Sequence, residues 1–189
     1  MLKNLKMLLA CSSTFIMMSY VPFTQAKILK QNAYGILISP NLRVIDGDTI
    51  HFASQGEKYR IRLMGIDAPE KDQRFGTEST QALANCIRQA KKVQIEWVKK
   101  DKYDRLLAKV RADDTDCNLL QVKKGYAWHY KYYQDDQPFI DRYTYSSAEH
   151  ISKQLKLGLW MDDHPIAPWD WRRKISMDAP YGTKKPTKR

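Results

Sequence analysis

Two predicted strands joined by a tight connection, within residues 43–70, constrain the fold of this chain more than any other feature. Apolar and polar residues alternate along the second strand, and residues 54–57 separate it from the first, which is typical of a β-hairpin. Strands joined in this way lie side by side, so acids at their outer ends are expected to converge. These acids are Asp46, Asp48, Asp67 and Glu70.

Converging carboxylates repel one another, so a cation, an arginine or shared protons must hold them together. No cysteine or histidine lies among the four acids, and an all-oxygen set favours a hard cation, Ca²⁺ or Mg²⁺, over zinc. Arg62, within the second strand, offers a positive charge of its own. The alternative is that Asp46-Gly47-Asp48 is a turn with solvated acids and that Arg62 points outward.

The charge of the chain indicates the class of its partner. The 189 residues are enough for one domain with a hydrophobic core. Lysine and arginine number 32 against 21 aspartates and glutamates, which gives a net charge of +11. Such an excess favours a polyanion, either nucleic acid or an anionic membrane surface.

Residues 1–26 have the pattern of a secretory signal peptide. Lys3 and Lys6 precede a moderately apolar run, and residues 24–26 fit a cleavage site with small residues. The run is too short, and too interrupted by serine and threonine, for a membrane span. We therefore expect a secreted or periplasmic protein, with lipidation at Cys11 as the alternative.

Two cysteines, Cys86 and Cys117, remain after the predicted cleavage. An even number of cysteines in an exported protein indicates a disulfide, and two buried free thiols are the alternative. A helical stripe of apolar residues places Cys86 on the core side of its helix.

The predicted strands mostly cluster first, with helices between and after them, which suits a small barrel with helices packed on it. The predicted helices begin at Thr77 and cover residues 118–124 and 138–157. The further strands cover residues 35–38, 93–97 and 106–112.

One domain is expected between the two ends of the chain. It covers residues 27–172, with a core at about residues 41–160, and a basic, disordered tail follows at residues 173–189. Within its last part, Trp169 and Trp171 are expected to cover apolar surface.

The ordered set of motifs resembles the staphylococcal nuclease (thermonuclease) family. The similarity runs over about residues 44–160, and the combination is more specific than any single piece. The resemblance implies an α+β fold, a five-stranded OB-fold barrel with about three packed helices, which presents a strand face to nucleic acid. The matching pieces are Ile-Asp-Gly-Asp-Thr at 45–49, Arg62 five residues before Asp67, Asp-Ala-Pro-Glu at 67–70 and Asp-Lys-Tyr-Asp-Arg at 101–105.

The same resemblance implies a Ca²⁺ site. Asp48 and Asp67 would bind the ion through their side chains, and Ala68 through its backbone carbonyl. Asp46 would lie near the ion, through water. Ala68 stands where well-known members carry threonine, which matters little if the backbone carbonyl alone is the ligand.

The resemblance also implies how a phosphodiester would be bound and cleaved. Glu70 would act as general base or orient the attacking water. Arg62 and Arg105 would bind the phosphate, and Lys102 and Tyr103 would line the other phosphate of the nucleotide. The alternative for Arg105 is a surface salt bridge with Asp101 or Asp104, and Asp104 stands where glycine is common in the family.

Tyr132 or Tyr133, in the aromatic-rich segment 126–133, is expected to stack on a base, with packing beneath the last helix as the alternative. The implied protein is an exported, monomeric nuclease that cleaves DNA and RNA and leaves 3′-phosphate ends. A non-catalytic nucleic-acid-binding module on the same barrel is the competing hypothesis. That class would tolerate loss of the acids, which are all present here.

Overall fold

The computed structural model describes residues 35–38, 42–54 and 56–178. The predicted signal peptide and Cys11 lie outside these ranges, as do residues 179–189. Among the helices in the described part, none is both long and apolar enough to cross a membrane.

The described residues form nine strands. Both strands of the predicted hairpin are present, as β3 and β4, and β1 coincides with the predicted strand 35–38. The strands are β1 Gly35–Ile38, β2 Leu42–Asp46, β3 Thr49–Ser54, β4 Glu57–Leu63, β5 Ile66–Asp67, β6 Val93–Lys100, β7 Leu106–Ala112, β8 Thr115–Asp116 and β9 Trp128–His129.

The large sheet has the order β1-β6-β7-β4-β3-β2, and β8 extends it by pairing with β7. Neighbours run antiparallel except β4 and β7, which are parallel. Within the described residues β1 and β2 end the sheet on opposite sides, so the closed five-stranded barrel stays a prediction. Over the same residues the sheet has seven strands rather than five, because β1 pairs with β6 and β8 pairs with β7. The α+β class is confirmed.

Four α-helices lie in the described part, three of them close to their predicted positions: α1 Gly76–Arg88, α2 Cys117–Lys123, α3 Phe139–Gln154 and α4 Pro168–Asp178. The last helix is a correction. Residues 173–178 belong to α4, so the predicted start of a disordered tail at residue 173 is wrong. Pro168 opens this helix, where its missing N–H is not needed.

The hydrophobic core lies between the sheet and the first three helices. Alternate residues of β7 point inward, as the period of a half-buried strand requires. From the helices, Leu83, Val122 and Tyr145 are almost fully buried against them. Burying each aliphatic side chain contributes about 1.5–3 kcal/mol. The residues of β7 that face the core are Leu106, Ala108, Val110 and Ala112.

A disulfide joins Cys86 of α1 to Cys117 at the start of α2, with Cα atoms 6.1 Å apart. Cys117 is fully buried, and Cys86 packs against the same core. The two cysteines are therefore bonded to one another in this structure, and the alternative of two free thiols is not what it shows. The bond closes a loop between residues that are 31 apart in sequence.

Replacing both cysteines by serine is expected to lower the free energy of unfolding by about 3–4 kcal/mol, because the reduced chain regains loop entropy when unfolded. Urea unfolding of the oxidised protein and of the double variant measures the difference. Equal stability, or two free thiols in the denatured and unreduced protein, would contradict a stabilising disulfide.

Candidate active site

The predicted turn Asp46-Gly47-Asp48 connects β2 to β3 and is held from behind by α2. The Gln121 side chain donates to the carbonyl of Gly47 over 2.7 Å. A Cβ at position 47 would overlap the Ser79 hydroxyl, so only glycine fits. The backbone N–H of Asp48 donates to Asp46 Oδ1 over 3.1 Å, and burial raises the pKa of Asp46 above its ordinary value.

Asp67 reaches the same place from the other end of the hairpin. The chain turns at Gly65, whose φ of 76° suits glycine, and β5 then delivers Asp67. The strand β5 is paired with β9, and β9 is held to α3 by buried Glu149, which accepts the N–H of His129 over 3.0 Å. Asp67 is therefore fixed on rigid backbone, with no solvent exposure.

Two of the predicted metal ligands contact one another. Asp48 is only 4% exposed, and its Oδ2 accepts the backbone N–H of Ala68 over 2.7 Å. Carboxylates this buried need compensation, since an unpaired charge away from water is strongly unfavourable. The reading of Asp48 as a solvated turn acid is therefore wrong.

Arg62 supplies part of that compensation. Its guanidinium contacts Asp48 Oδ1 through one nitrogen and Asp67 Oδ1 through the other, the second at 2.6 Å. The Arg62 side chain is 14% exposed, so it is not an outward-pointing strand arginine. One planar cation thus spans two acids that lie 19 positions apart in the chain.

A second arginine, which the sequence analysis did not identify, reaches the same acids. Arg172 of α4 donates through Nη2 to Asp67 Oδ2 and through Nη1 to Glu70 Oε1, both over 2.7 Å. Partial burial alone would lower the pKa of Arg172, yet its bonds to Asp67 and Glu70 raise it overall. The one available signal was the run of two tryptophans and two arginines at residues 169–173.

The loop before β7 carries Arg105. Its Nε donates to Asp101 Oδ2 over 2.7 Å, and its guanidinium lies 5.3 Å from the centre of the Tyr103 ring. Among the described contacts, none joins Arg105 to the four acids. The pairing of Ile61 with Leu106 nevertheless puts Arg105 on the same face of the sheet as Arg62.

Asp104, the second departure from the family pattern, does not bind Arg105. It pairs with Lys100 over 2.6 Å and is well exposed. Its φ is 60°, in the left-handed region, which aspartate tolerates and glycine prefers. This backbone geometry explains why glycine suits the position.

Tyr103 and Lys102 lie on the same loop, near Tyr133. Lys102 Nζ is 5.1 Å from the centre of the Tyr103 ring, and the Tyr103 and Tyr133 hydroxyls raise the pKa of Lys102. Tyr103 is 56% exposed and Tyr132 is 79% exposed, so neither side chain belongs to the hydrophobic core. Packing beneath the last helix does not account for Tyr132.

An open cavity of about 480 Å³ lies between β9 and α4. Its walls are mostly aromatic and basic and also include buried Glu149, and the N–H of Tyr130 donates to the carbonyl of Gly65, in the turn before Asp67, over 2.9 Å. Its wall includes Trp128, Tyr130, Tyr132, Trp169, Lys131 and Lys153.

The donor chemistry of the four acids Asp46, Asp48, Asp67 and Glu70 suits a hard cation. Their side-chain donors are all oxygens, and the two guanidiniums contact three of them, Asp48, Asp67 and Glu70, so the acids outnumber the arginines. In the part of the chain that is described, no group of three or more His, Cys, Asp or Glu side chains is arranged to hold a metal. A cation here would therefore take backbone carbonyls and water besides Asp48 and Asp67.

The model of staphylococcal nuclease homologues matches residues 60–162, a range that contains Arg62, Asp67, Glu70 and Arg105. An uncharacterized endonuclease of Haemophilus influenzae is 39% identical over 145 residues, which cover 75% of this chain and 78% of the relative. An uncharacterized endonuclease of Escherichia coli O157:H7 is 37% identical over 134 residues, which cover 70% and 83%. A micrococcal nuclease of Shigella flexneri is 37% identical over 142 residues, which cover 70% and 78%.

Proposed function

The chain belongs to the family of staphylococcal nuclease homologues and is a nuclease, and we propose that it is an exported, Ca²⁺-dependent endonuclease of DNA and RNA. The family resemblance predicted from the motifs is thereby confirmed. The observation that carries the proposal is the Arg62 guanidinium between buried Asp48 and Asp67, with Glu70 at the edge of the same cluster. Export rests on the pattern of residues 1–26.

Hydrolysis of a phosphodiester requires an activated water, charge stabilisation on the phosphate and an oriented attack. Glu70 suits the first task because its side chain is 37% exposed, in contrast to the buried aspartates. It would take the proton of the water that attacks phosphorus. The bond from phosphorus to the 5′ oxygen then breaks, that oxygen leaves as a 5′-hydroxyl after taking a proton from solvent water, and a 3′-phosphate end remains.

Asp48, Asp67 and the Ala68 carbonyl would hold the ion, with Asp46 behind them. When bound, Ca²⁺ would supply positive charge to the phosphate oxygens. With the cation compensating Asp48 and Asp67, Arg62 would turn from these acids to the phosphate, where its planar fork would bond two oxygens at once. Arg105, on the same face of the sheet, would bind the phosphate after leaving Asp101.

The substrate strand would follow the exposed aromatic and basic side chains beside the acids. Tyr132 and Tyr133 would stack on bases, and Lys102 and Tyr103 would face the neighbouring phosphate. Stacking on aromatics contributes about 1–3 kcal/mol per base and tolerates any sequence. This arrangement supports cleavage with little sequence preference.

Digestion of plasmid DNA and of RNA by the purified protein, with Ca²⁺ and with a Ca²⁺ chelator, tests the proposal. Cleavage of both substrates that stops on chelation is expected, with 3′-phosphate ends on the products. Binding without cleavage in Ca²⁺ or Mg²⁺ would overturn the proposal and favour the non-catalytic module.

Arg105→Ala is expected to weaken substrate binding and to lower the cleavage rate about 10²-fold, because one donor to the phosphate is lost. Initial rates and filter binding of a short DNA measure both effects. Arg111→Ala is the matched control, since Arg111 pairs at the surface with Glu96 over 3.1 Å. If Arg105→Ala changes neither quantity, its bond to Asp101 is a surface salt bridge without catalytic use.

A further inference from the structure

The C-terminal segment is built onto the loop that carries Glu70. The Gln73 side chain accepts the backbone N–H of Glu70 over 3.2 Å and donates to the carbonyl of Ile166 over 2.7 Å. Arg74, the next residue of the loop, pairs with Asp162 over 2.5 Å. The loop therefore depends on residues about ninety positions later in the chain.

Two tryptophans hold α4 in place on either side of Arg172. The Trp169 ring stacks on Tyr130 at a centroid distance of 5.2 Å and meets Trp128 edge-on at 5.5 Å. Trp171 is half-buried and lines a small cavity with Pro69 and Phe75. The α4 backbone at Arg172 is thus fixed from two directions, against β9 and against the Glu70 loop.

Arg172 gives the Glu70 carboxylate its one side-chain partner among the described residues. Nη1 donates to Glu70 Oε1 while Nη2 donates to Asp67 Oδ2, so a single rigid fork sets the spacing of both groups. Among the described residues, no hydrogen bond reaches Glu70 Oε2, which leaves this oxygen for water. Without such a bond, a half-exposed glutamate would sample several rotamers, and only some of them would face the phosphate.

We propose that Arg172 is a positioning residue. It holds the Glu70 carboxylate in the orientation that water activation needs, at a fixed position relative to buried Asp67. The proposal rests on the proposed function of Glu70. It gives the segment from Asp162 to Arg172 a part in the reaction, whereas the sequence analysis expected only that Trp169 and Trp171 cover apolar surface.

Arg172→Gln is expected to lower kcat about 10- to 100-fold while KM stays within about threefold, since misplaced groups cost rate more than binding. Arg172→Lys keeps the charge but lacks the planar fork, so an intermediate kcat is expected. Lys174→Gln, which removes an exposed charge from the same helix, is the matched control and is expected to keep the kcat of the original protein.

A double-variant cycle with Glu70→Gln shows whether Arg172 acts through Glu70. In the Glu70→Gln background, adding Arg172→Gln is expected to change kcat less than about threefold, because the group it positions is already lost. Fully additive losses would overturn the proposal and place Arg172 on the phosphate itself. A faster Arg172→Gln variant would overturn it too, and would make the contact inhibitory.

Amide hydrogen exchange gives a readout that needs no turnover. Faster exchange at residues 70–76 is expected in Arg172→Gln and not in Lys174→Gln, with the core strands unchanged in both. Unchanged exchange there would overturn the positioning role even in an active enzyme. If the loop loosens but the original protein cleaves no nucleic acid, the positioning contact stands and the proposed nuclease site falls.

Discussion

Replacing Glu70 by glutamine is expected to lower the cleavage rate by roughly 10²–10⁴-fold, because the amide cannot take a proton from water. Binding of DNA is expected to stay within about threefold of the original, since Glu70 lies at the exposed edge of the cluster and adds negative charge there. Fold and stability should change little, because Arg172 keeps its bond to Asp67. Single-turnover rates at saturating protein, together with filter binding in Ca²⁺, separate the two effects.

Asp72→Asn is the matched control, because Asp72 is an exposed acid two residues further along the same loop. It removes the same charge without touching the acid cluster, and its rate is expected to stay near that of the original protein. A Glu70→Gln variant that turns over normally would remove Glu70 from the mechanism, whatever its geometry. Equal losses in both variants would mean that loop charge, rather than a proton acceptor, sets the rate.

The convergence of Asp48 and Asp67 could be predicted from the sequence because it is set by local chemistry. Asp48 lies directly before β3 and Asp67 follows β4 after the Gly65 turn, and the pairing of Thr49 in β3 with Arg62 in β4 brings these two positions together. Gly47 and Gly65 mark turns that other residues do not fit. Whether Arg62 faced the acids or the solvent was open, because the alternation of a strand gives two faces but not which one is buried.

Arg172 could not be predicted in the same way. It lies 105 positions after Asp67, and the contact depends on where α4 docks. That docking depends in turn on Trp169 against Tyr130 and on Trp171 against the Glu70 loop, both long-range contacts. The composition of the residues that follow, from residue 173 onward, favoured a disordered tail, yet residues 173–178 continue α4.

Arg62→Gln is expected to combine the largest loss of stability with a large loss of rate. In Ca²⁺-free buffer, the free energy of unfolding should fall by about 3–5 kcal/mol, because buried Asp48 is left with an uncompensated charge. The charge of Asp67 stays partly compensated, since Arg172 still bonds it over 2.7 Å. With saturating Ca²⁺, the rate should fall about 10²–10³-fold through the lost donor to the phosphate.

Ca²⁺ itself separates the two roles of Arg62. A divalent cation among the acids would compensate the charge that the guanidinium no longer balances, so Ca²⁺ should raise the stability of Arg62→Gln more than that of the original protein. The rate should not recover, because the ion does not replace the fork on the phosphate. Urea unfolding with and without Ca²⁺, alongside initial rates, measures both, and Arg111→Gln serves as the surface control.

If Arg62→Gln proves as stable as the original protein in Ca²⁺-free buffer, the guanidinium is not what holds Asp48 and Asp67 together. If its stability falls but Ca²⁺ restores none of it, the acids do not bind the ion, and the proposed Ca²⁺ dependence is wrong. Restored stability with a persistent loss of rate is the one pattern that requires both a cation among the acids and an arginine on the phosphate.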